Sequence, residues 1–368
     1  LVVAIGVLAI NYLLNRLQYE QETLQLRPPV EVTEDEFGFI LAPEPDVSTE
    51  DLPVAEQEEG GPVFVQVTPS PQPDGDGGEI PAPTAEPTPV PQTLPPEEIE
   101  AILGEVKENY ESSATATPAN TTNIMLIGVD SRSGSIYGRS DTMMLATINH
   151  DKNKVVLTSF LRDTLVYVPG YGYTKLGHAN AFGGPSLLLQ TIQNNFKVSV
   201  DNYALVNFGS MERIVDSLGG LEIPVTAQEL RYIPNGVSQF GADYSGTRSL
   251  RLNGAQTLAY ARIRVIGTDF ARTSRQRTVI EAILQELGSE SVTGLLRFLD
   301  DTLPLVTTNM SKSELISLAT RAPGILRYQR SQFRVPIDGT YEDKHHYEPN
   351  VLVIDYPRNL KALHATLD

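Results

Sequence analysis

Between Leu24 and Pro118 the chain holds 17 of its 26 prolines, and sets 21 Asp and Glu against 2 Lys and Arg, a net of −19. All 368 residues together carry −18, so the remainder is close to neutral. The stretch TPSPQPDGDGGEIPAPTAEPTPVPQTLPP is nearly free of large apolar side chains. Such a segment cannot bury enough surface to offset its ordering entropy, and like charges extend it further. Residues 24–118 are therefore expected to form a disordered, partly polyproline II stalk. Within it, Pro95–Glu111 has helical spacing and acidic residues in its first turn, which predicts a short helix at the domain edge. The globular fold is left to residues 119–368, enough for a substantial core.

The chain opens on LVVAIGVLAINYLL without a starting Met. An apolar run of about 14 residues is shorter than the roughly 20 a spanning helix needs. We read residues 1–23 as the end of a signal anchor whose upstream part is missing. The alternative is a cleaved signal peptide, but no small-residue cleavage site follows. NRLQYEQETLQL comes next, like a helix leaving the membrane. The expectation is a single-pass membrane protein with its domain outside the cytoplasm. There is no cysteine, so neither disulfides nor thiol chemistry are open to it, and a domain this large can do without them.

In the domain, strands are expected at Asn123–Val129, Thr142–Ile148 and Lys154–Phe160, the last two joined by a turn at NHDKNK. A helix Ser186–Phe196 and a strand Asn202–Asn207 follow. Next come a helix Ser210–Leu218, ended by Gly219 and Gly220, and a short strand LEIPV. Helices are expected at Asn253–Tyr260, Ser274–Leu287, Gly294–Leu305 and Lys312–Arg321, and late strands at Phe333–Ile337 and Val351–Asp355. Strands interleaved with helices predict an α/β layered fold, with a mixed sheet because of the hairpin.

Four charged clusters lie near predicted strand ends or helix starts. They are Asp130, Arg132, Arg139 and Asp141; Arg162 and Asp163 in SFLRDT; Arg262 and Arg264 in YARIR; and Asp269, Arg272, Arg275, Gln276 and Arg277 in DFARTSRQR. Arg262 and Arg264 share a face only if the chain is extended there, with Ile263 turned into the core. Arg272, Arg275 and Gln276 share a face on a helix. Together these would make an anion site, since the planar guanidinium donates two bonds at once and keeps its charge. Two aspartates nearby would suit a hard cation such as Mg²⁺. Taken singly, each residue reads as well as a turn residue, a cap or a solvated helix charge; the case rests on all four clusters meeting.

Lys175 is a further phosphate contact, and His178 a structural or pocket-rim residue. His345 and His346 show no metal spacing. No G-x-S-x-G and no G-x-x-x-x-G-K-[ST] is present, which excludes the common serine-hydrolase and P-loop designs. A near-neutral domain facing outward argues against nucleic acid.

In order, NIMLIGVDSR, GRSDTMML, SFLRDT, YTKLGHANAFGG, VDSLGGLEIPV, YARIR and DFARTSRQR resemble the motifs of the LytR-CpsA-Psr family, strongly over about Thr122 to Leu287. The resemblance implies a phosphotransferase of the bacterial cell envelope. It would move a glycan polymer from a polyprenyl-pyrophosphate carrier to peptidoglycan or a related wall acceptor. It also implies an α–β–α sandwich with a long apolar pocket for the lipid tail. Asp130 and Asp141 would be the carboxylates of a Mg²⁺ site, with Mn²⁺ as an alternative. Arg132, Arg139, Arg162, Arg262, Arg264, Arg272 and Arg275 would line the pyrophosphate, with Lys175 and Gln276 as weaker contacts. Two departures stand out: VIGTDFAR lacks the Lys and Asp-Pro that often follow the Arg-x-Arg pair, and Gly177 stands where an Asn is common. The helices Ser186–Phe196 and Ser274–Leu287 are apolar enough to line the tail pocket, or equally to pack a core. The competing readings are a lipid pyrophosphatase using the same residues and a non-catalytic lipid- or glycan-binding envelope regulator.

Overall fold

The computed structural model describes residues 33–34, 40–41, 96–112, 118–130, 136–241, 246–344 and 351–368. The expected anchor, most of the Pro-rich stalk, Arg132, His345 and His346 lie outside these residues. Among the described residues no helix is long and apolar enough to cross a membrane.

In chain order the elements begin with α1 (Pro96–Glu111), β1 (Thr121–Val129), β2 (Ser140–Asn149), β3 (Lys154–Phe160), β4 (Leu165–Val168), β5 (Gly172–Lys175) and α2 (Ala179–Phe196). Then follow β6 (Asn202–Asn207), α3 (Phe208–Ser217), β7 (Leu221–Thr226), β8 (Thr247–Leu252), α4 (Gly254–Arg262) and α5 (Asp269–Ser289). The chain continues through α6 (Val292–Thr302), β9 (Thr307–Thr308), α7 (Lys312–Ile325), β10 (Gln329–Val335), β11 (Tyr341–Lys344), β12 (Val351–Ile354) and α8 (Tyr356–Leu367).

Six strands form the central sheet in the order β9-β6-β1-β2-β3-β10. β1, β2 and β3 are antiparallel neighbours, while β6 runs parallel to β1 and β10 parallel to β3. The sheet is therefore mixed, as expected. Helices cover both faces, which is why β1 reads as a near-continuous apolar run rather than an alternating one. One face packs Met125, Ile127 and Phe160 against α1, α2 and α8. The other packs Met144, Ile148, Val155 and Leu157 against α5 and α7. A third, smaller core joins the β7–β8 ribbon to α3, α4 and α5 through Val215, Ile223, Leu252, Tyr260 and Val279.

Several local expectations shift. α2 reaches back past Ser186 to Ala179, across a break at Gly183 and Gly184 (φ 68°) that precedes Pro185. The β4–β5 ribbon and α8 were not expected; a Pro-Gly pair at 169–170, with Gly170 and Gly172 at positive φ, marks the β4–β5 turn. α1 is more than an edge helix. Ile99 and Val106 are 3% and 2% exposed in the main core. Lys197 Nζ donates to the Tyr110 and Ser112 carbonyls at 3.1 and 2.6 Å, beside the end of α1. The packed unit thus reaches back past Ala119 to Pro96. Charge and proline content hide this, because the helix is acidic overall and docks by one apolar face, Ile99 and Val106 with Ile102 and Leu103 beside them.

Candidate functional site

Asp141 owes its position to an irregularity in the β1–β2 ladder. Gly128 pairs with Thr142 and Val129 with Ser140, so Asp141 is the extra residue of a bulge. Bulges re-aim a side chain at the end of a ladder. Gly128 suits this spot because a Cβ there would lie 3.0 Å from Thr142 Cβ.

Both carboxylate oxygens of Asp141 are engaged. Arg162 Nη1 donates to Oδ1 at 2.6 Å, and Arg264 Nη2 to Oδ2 at 2.9 Å. Burial would raise the Asp141 pKa, but the guanidinium of Arg162, helped by Arg272 and Arg264, holds it below the ordinary carboxylate value. Arg162 and Asp163 follow the end of β3. The loop that carries them is pinned by Gly177 N donating to Arg162 O at 2.8 Å and Leu352 N to Asp163 O at 2.8 Å. Asp163 in turn pairs with Lys175 Nζ at 3.0 Å. Gly177 is now accounted for. A Cβ there would stand 3.1 Å from both Arg162 Cβ and Ser140 O, so the backbone of this chain closes directly on the arginine.

Arg272 comes down from α5 and pairs with Asp269 at 2.7 Å, one turn earlier on the helix. It is 2% exposed, yet its Nε and Nη1 have no hydrogen-bond partner among the described residues. Burial pushes its pKa down, while Asp269 pulls it up. Asp269 is shifted upward by burial, against the pull of Arg272 and Arg162, and its Oδ2 is buried and unpaired. The assembled group is Asp141, Arg162, Asp163, Lys175, Arg264, Asp269 and Arg272, drawn from β2, the β3–β4 loop, β5, α5 and the segment after α4.

The other expected residues part from this group. Arg275 does not share the cluster with Arg272: it turns toward the small core, bonding Glu229 at 3.3 Å and the carbonyls of Ile263 and Ile266 at 2.6 and 3.0 Å. It fixes the segment that carries Arg264, while its Nε is buried without a partner among the described residues. The YARIR stretch is not a strand. α4 ends at Arg262, and Ile263 caps it with its side chain 4% exposed in the small core. Arg262 therefore points elsewhere, its guanidinium carbon 4.1 Å from the centre of the Phe208 ring, where a cation–π contact holds it. Arg139 and Asp130 are exposed at the β1–β2 end, joined by Asp130 N donating to Arg139 O at 3.4 Å. Gln276 is half-buried on α5.

His178 is structural. It is 6% exposed, shares a 2.8 Å hydrogen bond with Thr174 Oγ1, and is pushed down to about 4 by burial and by Lys175 and Arg139. Sequence reasoning placed Asp163 and Asp269 in the charged clusters without giving them a role, and it did not single out Glu229. The last had a legible signal in TAQE: Thr226 and Glu229 form a capping box, and the same carboxylate also receives Arg275.

A family model for the LytR_cpsA_psr family matches residues 97–356. Among curated proteins, the chain is 35% identical over 211 residues to the polyisoprenyl-teichoic acid–peptidoglycan teichoic acid transferase TagU of Oceanobacillus iheyensis, covering 55% of this chain and 63% of that one. It is 32% identical over 220 residues to the TagU of Enterococcus faecalis, covering 58% of this chain and 70% of that one. The solved structure of TagT bound to LI-WTA superposes with a TM-score of 0.54 at 25% identity, over 68% of this chain and 90% of that one. On the family match over most of its length, with the motif residues gathered at the ends of the central strands, the chain belongs to the LytR_cpsA_psr family.

Proposed function

We propose that the chain is a phosphotransferase that moves a glycan polymer from a polyprenyl-pyrophosphate carrier to peptidoglycan or a related wall acceptor. The observation that carries this is the arginine cradle: Arg162 and Arg264 locked onto Asp141, beside a buried Arg272 with two unpaired donors. A buried guanidinium with unpaired donors fits the oxygens of a pyrophosphate. The names of the TagU relatives point the same way.

Phosphoryl transfer asks mostly for positioning and for neutralising charge on the moving oxygens. An acceptor sugar hydroxyl attacks the glycan-side phosphorus. The bond from that phosphorus to the bridging oxygen breaks, and polyprenyl phosphate leaves. Arg162, Arg264 and Arg272 donate to the phosphoryl oxygens, with Lys175 behind them and Arg139 and Arg262 at the rim. Asp141 is a poor proton acceptor, since both its oxygens hold guanidiniums. Asp269 is better placed, because burial raises its basicity and its Oδ2 is free of partners.

A divalent cation, Mg²⁺ or Mn²⁺, belongs to this reading. Among the described residues no group of three or more His, Cys, Asp or Glu could hold a metal. A hard cation takes few carboxylates and shares its shell with water and phosphate oxygens. Asp130 and Asp141 would hold it, and it would supply charge neutralisation at the pyrophosphate.

The lipid tail belongs on the α5–α7 face of the sheet. Ile280, Leu284, Leu318 and Ile325 are only half-buried there. We place the tail there rather than along α2, whose Leu188, Ile192 and Phe196 are buried in the main core. In this reading the domain works outside the cytoplasm, with residues 1–23 as anchor and the acidic stretch as stalk.

The test incubates the full chain in detergent with a polyprenyl-pyrophosphate-linked sugar, with and without Mg²⁺ and peptidoglycan, following polyprenyl phosphate. Release that depends on Mg²⁺ and yields an acceptor–glycan conjugate is expected. Release without conjugate makes the chain a pyrophosphatase, and binding without release makes it a lipid-binding regulator.

A further inference from the structure

Arg277 leaves α5 on a different side from Arg272 and Arg275, toward the edge strand β10. Its Nε donates to Gln332 Oε1 at 3.1 Å. Arg334 lies two residues further along β10, on the same face of the strand. The Arg334 guanidinium carbon stands 4.3 Å from the centre of the Phe270 ring, and its Nη2 pairs with the carboxylate of the exposed Asp338.

Arg277 is 8% exposed and has no carboxylate partner among the described residues. Nη1 of Arg277 and Nη1 of Arg334 are both buried without a hydrogen-bond partner. Ser159, the register partner of Arg334 on β3, adds a third buried polar group in the same condition. The two guanidiniums are near enough that Arg334 adds to burial in lowering the Arg277 pKa. Like charges with unpaired donors under one helix are costly. Their donors, together with a hydroxyl, match a tetrahedral oxyanion better than a planar carboxylate, which a single guanidinium fork would take.

We propose that Arg277 and Arg334, with Ser159, form a second oxyanion site for a phosphate-class group, separate from the Asp141 cradle. Arg277 lies five positions after Arg272 on α5, about 7.5 Å along the helix axis, so the two sites can be filled together. The phosphate can come from a phosphodiester of a polymer, the head of a lipid phosphate, or free phosphate. The site does not depend on the transfer reaction and stands if that reaction fails.

The test is calorimetric titration of the full chain in detergent with inorganic phosphate, comparing wild type, Arg334→Gln, Arg277→Gln and Arg264→Ala. Circular dichroism checks that each variant is folded. Arg334 is the first choice because its side chain is 19% exposed at the sheet edge and its loss disturbs packing least. Two binding events are expected in wild type. Arg334→Gln removes one, weakening it at least tenfold, and leaves the event that Arg264→Ala removes. Unchanged stoichiometry and affinity in a folded Arg334→Gln protein overturns the site. With Arg264→Ala protein, competition by a glycerol phosphodiester assigns the site to a polymer, and competition by polyprenyl monophosphate assigns it to a lipid head. Retained phosphate binding with neither competing assigns it to free phosphate.

Discussion

On one face of the central sheet, α2 places Leu188, Ile192 and Phe196 at 0% exposure, with Phe160 and Phe196 ring to ring at 4.7 Å. On the other face the buried cluster is Met144, Ile148, Val155 and Leu157, and the side chains of α5 and α7 packed against it, Ile280, Leu284, Leu318 and Ile325, are only half-buried. The same strands supply both faces, so strand composition does not explain the difference. The covering helices do. α2 is sealed into the main core, whereas α5 and α7 cover the other face with half-buried side chains. A sealed face carries stability, and a half-covered one has apolar surface to offer a ligand. The charged cluster sits at the strand ends, where it adjoins both faces.

The comparison can be broken by substitution. Phe196→Ala on the sealed face should cost about 3–5 kcal/mol, as for large-to-small changes in closed cores, read by urea denaturation. A loss under about 1 kcal/mol would mean that this face is no tighter than the other. Asp141→Ala belongs to neither face. It should lower transfer roughly 10²- to 10³-fold, the range for losing one preorganised electrostatic contact, with little change in melting temperature. Wild-type transfer in that variant would remove the cradle from the proposed mechanism.

His178 on the sealed side gives a pH signature. Its folded pKa, pushed down to about 4, lies below the ordinary 6.5. Between these values the unfolded chain takes up a proton that the folded one does not. Stability is therefore lost as pH falls from about 6.5 toward 4, by roughly 3 kcal/mol in all. His178→Asn should flatten that part of the stability-against-pH curve relative to wild type, and an identical slope would contradict the burial. On the open face, Leu284→Ala should cost only about 1 kcal/mol of stability. It should raise KM for a long-chain polyprenyl substrate about tenfold, equivalent to about 1.4 kcal/mol, and leave a short-chain analogue unchanged. Equal effects on both substrates would place the tail elsewhere. The smallest effect is expected at Lys344, which pairs with Glu98 of α1 at 3.0 Å. Lys344→Ala should cost about 1 kcal/mol or less in thermal melts, because Ile99 and Val106 rather than this ion pair dock α1. A cost well above that would make the ion pair the anchor.

The strands β1, β3 and β6 and the alternation of strand and helix were legible because apolar runs between turn residues carry their own signal. β4, β5 and α8 were not, since short ribbons and a terminal helix owe their form to the core they meet. The cluster was legible in type and partly in membership. Asp141, Arg162, Lys175, Arg264 and Arg272 do assemble, whereas Arg275 and Arg262 share their residue type and motif but not their place. Arg275 is claimed by Glu229 and two carbonyls. Arg262 parts from Arg264 because the helix that carries it ends one residue before the side chain that anchors the segment, Ile263.

The sequence by itself marked out the strand-and-helix region where most of the fold lies, but not its start, because the count of charge and proline over residues 24–118 also covers α1, which two apolar side chains place in the core. It also determined the chemistry available, because residue type sets charge and donor geometry without reference to neighbours. Only the tertiary structure decided which arginines face one another, that Asp141 stands out from its strand at a bulge, and that one face of the sheet is sealed while the other is half-covered. These depend on contacts between segments far apart in the chain, whose meeting no local pattern encodes.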